Sequence, residues 1–204
     1  EAQFRKAKVV PRFLNEAKRL HLNIRTGQAT AWIPMEEWDA CAGEVSDAAL
    51  RGRPCFGGLA LSSTRDTTAL VLVFPEDGWA VKPWCWVPEP TAYERERQGK
   101  ATYFTWSQAG YIERTSGPVI DYSYIRARIN EVKKLYDLQS IAYDPYGATQ
   151  LAIQLQDEDG IEMIEFRQGW KTMTEPCKQM EVLVANHRLR HDSNPVMRWQ
   201  MGNV

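Results

Sequence analysis

Four cysteines stand in 204 residues, and Cys41, Cys55, Cys85 and Cys177 form no CxxC pair and no zinc-ribbon spacing. We read them as reduced thiols rather than a disulfide framework. Histidine is scarcer still, with three in the chain. His187 and His191 are four apart, as on a zinc-protease helix, but no Glu follows the first of them. No apolar run reaches the roughly 18 residues of a membrane-spanning helix. The opening Glu1-Ala2-Gln3-Phe4-Arg5-Lys6 carries charge without the apolar stretch of a signal peptide. Gly99-Lys100 lacks both the preceding glycine and the following Ser or Thr of a phosphate-binding loop. A net charge of −1 argues, as an average, against a generally basic nucleic-acid binder.

The charge is not evenly spread. Residues 1–28 carry a net +5, residues 29–166 a net −9, and residues 167–204 a net +3. An acidic body between two basic ends suits an anionic partner that touches the ends. With 44% hydrophobic and 25% charged residues the composition is that of a globular protein, of a length for one domain plus an arm.

Phe4–Asn23 reads as a basic, partly helical arm interrupted by Pro11. Pro34 suits the first turn of a helix that carries Trp38. Three β-rich runs follow, over Gly57–Ser62, Ala69–Phe74 and Ala80–Val87, with Pro75-Glu76-Asp77-Gly78 joining the second to the third. Short connections predict an antiparallel meander. Helices are predicted over Pro90–Arg97 and Thr105–Ile112. The second half then alternates. Asp121 caps a helix over Tyr122–Tyr136, whose Ile125, Ile129 and Val132 share one face. A strand over Ser140–Tyr143, a helix over Ala148–Leu155, a strand over Ile161–Phe166 and a helix over Glu175–Asn186 come next. Leu189–Trp199 reads as a hairpin around Asp192-Ser193-Asn194-Pro195. Three antiparallel strands followed by αβαβα is the order of the ribonuclease H-like α/β fold, a mixed sheet flanked by helices.

Ligand sites in such sheets lie at strand ends where connections diverge. Asp144 closes one strand before Pro145, and Asp66 sits in the turn between the first two strands. Converging carboxylates there suit divalent ions, which take carboxylate oxygens together with water and phosphate. Each carboxylate is also explained by a capping role, Asp66 in its turn and Asp144 at the next helix.

Gly57-Gly58-Leu59-Ala60-Leu61-Ser62-Ser63-Thr64-Arg65-Asp66-Thr67-Thr68-Ala69-Leu70 resembles the first nuclease motif of the large terminase subunit of tailed, HK97-like bacteriophages. Three further stretches resemble the same family in the same order. They are His21-Leu22-Asn23 with Trp32-Ile33-Pro34 and Trp38-Asp39; Ile141 to Ala148; and Gly169-Trp170-Lys171 through Arg198-Trp199. Together they span nearly the whole chain.

The resemblance implies a DNA-packaging motor subunit, in which an ATPase domain precedes a nuclease that cuts concatemeric double-stranded DNA with Mg²⁺ or Mn²⁺ in a two-metal site. It implies an arm over 1–45 leading from that ATPase domain and a nuclease domain over 46–204 that lacks its C-terminal end, where the third metal carboxylate would lie. It also implies the small terminase subunit and the portal protein as partners, host cytoplasm as location, and no membrane. Where the family pattern has a metal-bridging Asp in Gly-Gly-Leu-Asp-Leu-Ser, this sequence has Ala60, engineered or natural, which implies a disarmed nuclease. Asp144 and Asp66 remain as metal candidates. Arg65, Lys171, Arg188, Arg190, His191 and Arg198 are candidate phosphate contacts, with position set by charge rather than by base reading. Trp170 and Trp199 are read as core residues. The competing reading is a non-catalytic DNA-clamping or portal-docking module built on the same shell.

Overall fold

In Thr68–Phe74 every second side chain is fully buried, and the intervening ones are half-buried. A strand covered on both faces reads this way. The computed structural model describes residues 32–204 apart from Ser63, Arg65 and Lys100. The arm expected over Phe4–Asn23 lies outside those residues, as does Arg65.

Among the described residues, β1 (Pro54–Ala60), β2 (Thr68–Phe74), β3 (Ala80–Pro88), β4 (Glu113–Thr115), β5 (Asp137–Tyr143), β6 (Met163–Glu165) and β7 (Arg190–His191) form one mixed sheet. Its order is β4-β3-β2-β1-β5-β6, with β7 beside β3. The meander β1–β2–β3 is antiparallel, while β5 joins β1, and β6 joins β5, in parallel. This is the expected ribonuclease H-like arrangement. Gly57 permits the close approach of β5, because a Cβ there would meet Ile141 Cγ1 at 2.8 Å.

Among the described residues the α-helices are α1 (Met35–Ala40), α2 (Asp47–Leu50), α3 (Glu89–Arg97), α4 (Tyr103–Gln108), α5 (Tyr122–Leu135), α6 (Thr149–Ile153), α7 (Trp170–Ala185) and α8 (Pro195–Met201). The Asp121 side chain accepts from the Ser123 amide at 2.9 Å and starts α5. Ile125, Ile129 and Val132 of α5 are almost wholly buried in one core with Leu59, Leu70, Leu72, Phe74, Trp86 and Ile141. Each such side chain contributes about 1.5–3 kcal/mol of burial. The alternate residues of β2 and β3 point to the other face, where Val71, Val73 and Val81 pack with Ile33, Trp38, Val184, Leu189 and Met197. Cys85 and Val87 meet Tyr103, Ile112 and Val196 beside them. Over β1 and β6 the second face stays open, with Phe56 46% and Ile164 45% exposed.

The expected hairpin over Leu189–Trp199 is not formed. Arg190 and His191 instead pair in parallel with Ala80 and Val81, and α8 follows. Asn194 accepts from the Val196 and Met197 amides, and Pro195 occupies the first turn. Asn-Pro breaks a preceding helix but starts the next, and the start is the side that counts here. Two further differences are local. The helix expected over Thr105–Ile112 starts at Tyr103 and ends at Gln108, with a turn over residues 109–112 before β4, and α7 begins five residues before Glu175 and continues through Pro176.

Candidate functional site

Strands β1 and β5 run side by side in parallel, and their last register pair is Leu59 with Tyr143. The next residues are Ala60, the last of β1 and still paired with Ala69, and Asp144, the first beyond β5, which stand level on strands about 4.8 Å apart. Pro145 prevents the strand from continuing. Asp144 is half-buried, and its Oδ1 accepts from the Tyr146 amide at 3.0 Å. Gly147 then turns the chain with φ +75° into α6. The carboxylate thus shapes its own loop and remains at the sheet's end, and it does not cap α6, whose N-cap is Ala148 with no side-chain bond.

Asp66 stands in the β1–β2 connection at the same end of the sheet. It is exposed; its amide donates to Ser62 Oγ at 3.2 Å, and its Oδ1 accepts from the Thr67 amide at 2.8 Å. Tyr122 Oη donates to the Ser62 carbonyl, which ties this connection to α5. Burial raises the Tyr103 phenol above its ordinary range, and the negative charge of Asp66 adds to that. Asp66 therefore acts electrically on the α4 side of the site.

Glu165, which pairs in register with Tyr143 on β6, brings a further exposed carboxylate to this end. The sequence does not single it out, because the strand predicted over Ile161–Phe166 puts Glu165 inside it, whereas the observed strand ends there. Among the described residues no group of three His, Cys, Asp or Glu is arranged to hold a metal ion. A methyl group occupies position 60, level with Asp144. The side chains present therefore do not fit a two-ion clamp.

The candidate phosphate contacts separate in space. Lys171 is exposed in the first turn of α7, which starts beyond the end of β6 and so lies at the carboxylate end. Arg190 lies at the opposite end, in register with the first residue of β3. Its Nη2 donates to the Asp77 carbonyl at 2.8 Å. Arg188 is exposed near it, on a cleft shared with Trp79 and His187. His191 is a core residue, contrary to its expected phosphate role: it is 1% exposed and stacks on Trp38 with ring centroids 4.4 Å apart. The Ser193 amide donates to Nδ1, so Nε2 carries the proton and donates to the Trp38 carbonyl at 2.8 Å. Arg198 is engaged by the Asp39 carboxylate through two contacts of 2.8 Å, which hold the Asp39 carboxyl below its ordinary range.

Of the two tryptophans expected in the core, Trp199 packs edge-on with Tyr103 and Trp106. Trp170 does the opposite and is 91% exposed. Its place in the first turn of α7 puts it outside every packed face. That turn was not foreseen, because the helix was expected to start after it.

Residues 2–204 match the family model described as the terminase large subunit, endonuclease domain. The terminase large subunit of Enterobacteria phage HK97 is 34% identical over 201 residues, covering 96% of this chain and 39% of that protein. Protein YmfN of Escherichia coli strain K12 is 29% identical over 214 residues, covering 100% of this chain and 47% of that protein. The chain thus spans less than half the length of these curated relatives. A crystal structure of the HK97 bacteriophage large terminase aligns with a TM-score of 0.73 at 33% identity, over 97% of this chain and 41% of that one. The large terminase nuclease from thermophilic phage G20c aligns with a TM-score of 0.51 at 13% identity, over 75% of this chain and 67% of that one. The same nuclease with bound zinc aligns at 0.50 and 12% identity, over 76% and 74%. At these lower identities the likeness is one of fold.

Proposed function

The chain belongs to the terminase large subunit endonuclease-domain family, and from that premise we propose that it is the DNA-cutting domain of a phage packaging motor, disarmed at position 60. The observation that carries this reading is the level placement of Ala60 and Asp144 at the ends of adjacent parallel strands, beside the connection that holds Asp66. That is where the family pattern sets a carboxylate on β1. The substrate is concatemeric double-stranded DNA, and residues 1–45 are the arm that leads from the ATPase domain of the full-length protein. Domain 46–204 meets the small subunit and the portal in the host cytoplasm. A G20c nuclease structure that holds zinc supports divalent-ion use by this fold; Mg²⁺ or Mn²⁺ is expected once position 60 carries an Asp.

In such sites two ions about 4 Å apart clamp the attacking and leaving oxygens of a phosphodiester. A methyl at position 60 gives them no ligand, so cutting by that route is not a property of the Ala60 chain. Asp144 and Asp66 keep their charge and their positions. Lys171 adds a phosphate contact at the same end, which contributes salt-dependent affinity without sequence readout. Arg188, Arg190 and Arg65 remain candidates for the path of the duplex away from the cut, and Arg198 reaches phosphate only by leaving Asp39.

Ala60→Asp in the full-length protein tests the reading. We expect Mg²⁺- or Mn²⁺-dependent cutting of plasmid DNA where the Ala60 form gives none, and no gain would overturn the role of position 60. The second reading is a DNA-clamping or portal-docking module without metal. The methyl group at position 60 and the basic ends of the sequence fit it too. Calorimetric titration with Mn²⁺ separates the two, because a module of that kind gains no ion site from Ala60→Asp.

A further inference from the structure

Two aromatic side chains stand almost free in solvent at the carboxylate end of the sheet. Trp170 is 91% exposed and Tyr146 is 86% exposed. The other seven tryptophans of the chain are buried or half-buried. Large aromatic rings are normally well buried. Neither of these two makes a ring contact with a described aromatic residue.

Both mounts are fixed. The Tyr146 amide is held by Asp144 Oδ1, between Pro145 and the turn at Gly147. The Phe166 amide donates to the Tyr143 carbonyl at 2.7 Å, so the segment that leads to Trp170 is tied to the strand that ends in Asp144. Trp170 itself opens the 16-residue helix α7, whose Val184 is buried in the second core. Tyr146 follows β5 by three residues and Trp170 follows β6 by five, so the two rings stand on the connections that leave these neighbouring strands at the end where Asp144 lies.

The chain around Trp170 is basic and polar, whereas Tyr146 stands beside the carboxylate of Asp144. Arg167 and Lys171 are exposed on either side of Trp170, and neither pairs with a described acid. No acid stands in the first turn of α7. Free aromatic faces beside unpaired cations are the two parts of a single-stranded nucleic-acid site, in which the cations hold phosphate and the rings stack on bases of any sequence. A surface for a protein partner would be expected to ring these aromatics with aliphatic side chains, whereas Trp170 is flanked by Arg167, Gln168, Lys171 and Thr172.

We propose that Tyr146 and Trp170 form an aromatic clasp that stacks on bases unpaired or unstacked at the cut site, with Lys171 and Arg167 on the adjoining phosphates. The proposal rests on the nuclease-domain reading and extends it to the state of the DNA beside the cut. Stacking on exposed bases would hold a locally opened duplex against the carboxylates without choosing a sequence.

The 204-residue Ala60 chain allows the test without cutting. Its affinity is measured by fluorescence anisotropy, without divalent ions, for a labelled duplex and for the same duplex with a short central bubble of unpaired bases. Tighter binding to the bubble is expected. Trp170→Ala and Tyr146→Ala should each weaken bubble binding about tenfold and leave duplex binding within about twofold. Trp170→Phe should restore most of the loss. Lys171→Ala should weaken both probes alike and lower the salt dependence by about one ion. Equal affinity for the two probes, or a bubble preference that survives both alanine variants, overturns the clasp and leaves the nuclease reading standing. Failure to bind either probe overturns both. Both rings are exposed, so their removal leaves the fold intact, which far-ultraviolet circular dichroism checks.

Discussion

The two ends of the sheet are built in opposite ways. At the hairpin end, Trp38 and His191 stack in the core, α1 packs against β3 and α7, and Arg190 bonds the Asp77 carbonyl. Polar groups there are spent on the protein itself. At the other end, β1, β5 and β6 stop in polar loops that carry Asp66, Asp144 and Glu165, with Tyr146 and Trp170 left bare. One end contributes stability, and the other leaves its carboxylates and two aromatic rings in solvent. Basic charge in the sequence does not distinguish the two, since Lys171 falls at the open end and Arg190 at the closed one.

Substitutions should expose this contrast, and the largest effect falls at the closed end. Trp38→Ala removes a fully buried indole and should cost about 3–5 kcal/mol in urea unfolding. A loss below about 1 kcal/mol would show that this end is not the scaffold we describe. His191→Ala removes the stack and orphans the Ser193 amide, while the Trp38 carbonyl keeps the Cys41 amide as a donor, at a cost of about 2–3 kcal/mol. Its DNA affinity should stay within about twofold, and a larger loss would return His191 to the phosphate set.

A smaller effect comes from the pairing of α5 with the turn after α6. Arg126 grips Asp159 through two contacts of 2.7 and 2.8 Å, and this holds the Asp159 carboxyl below its ordinary range. A depressed folded pKa adds stability above the unfolded value of about 3.9, and that stability is lost as pH falls through the folded value. Asp159→Asn should therefore lower the urea midpoint at pH 7, and the gap to the parent should begin to close as the pH falls below about 4 and vanish once it is below the depressed folded value. A gap that persists in acid would assign the loss to packing. The least change in stability is expected at the open end, where Trp170→Ala should stay within about 0.5 kcal/mol.

The scaffold was legible where one physical signal dominated. The meander follows from alternation and from Pro75-Glu76-Asp77-Gly78, and α5 follows from its Asp121 cap and the spacing of Ile125, Ile129 and Val132. Asn194-Pro195 was ambiguous because the same pair ends one helix and starts another, and only the pairing of β7 with β3 decides between them. The three residues of β4 are too few to show a period. At the site, Asp144 and Asp66 could be marked by their places at strand ends. His191 could not be assigned to the core from sequence, because its burial depends on Trp38, 153 positions earlier in the chain. Trp170 was misread for a related reason: an indole is apolar enough for a core, and nothing local says that no core lies beneath it.

The central claim is that position 60 is the vacant half of a carboxylate pair whose other half is Asp144. Supercoiled-plasmid nicking in Mg²⁺ or Mn²⁺ tests it most directly, with the full-length protein carrying Ala60, Ala60→Asp, and Ala60→Asp combined with Asp144→Asn. The account predicts cutting by the single variant alone, at least about a hundredfold above the other two, the equivalent of about 2.7 kcal/mol of barrier. Equal rates for all three, or full activity in the combined variant, would contradict it.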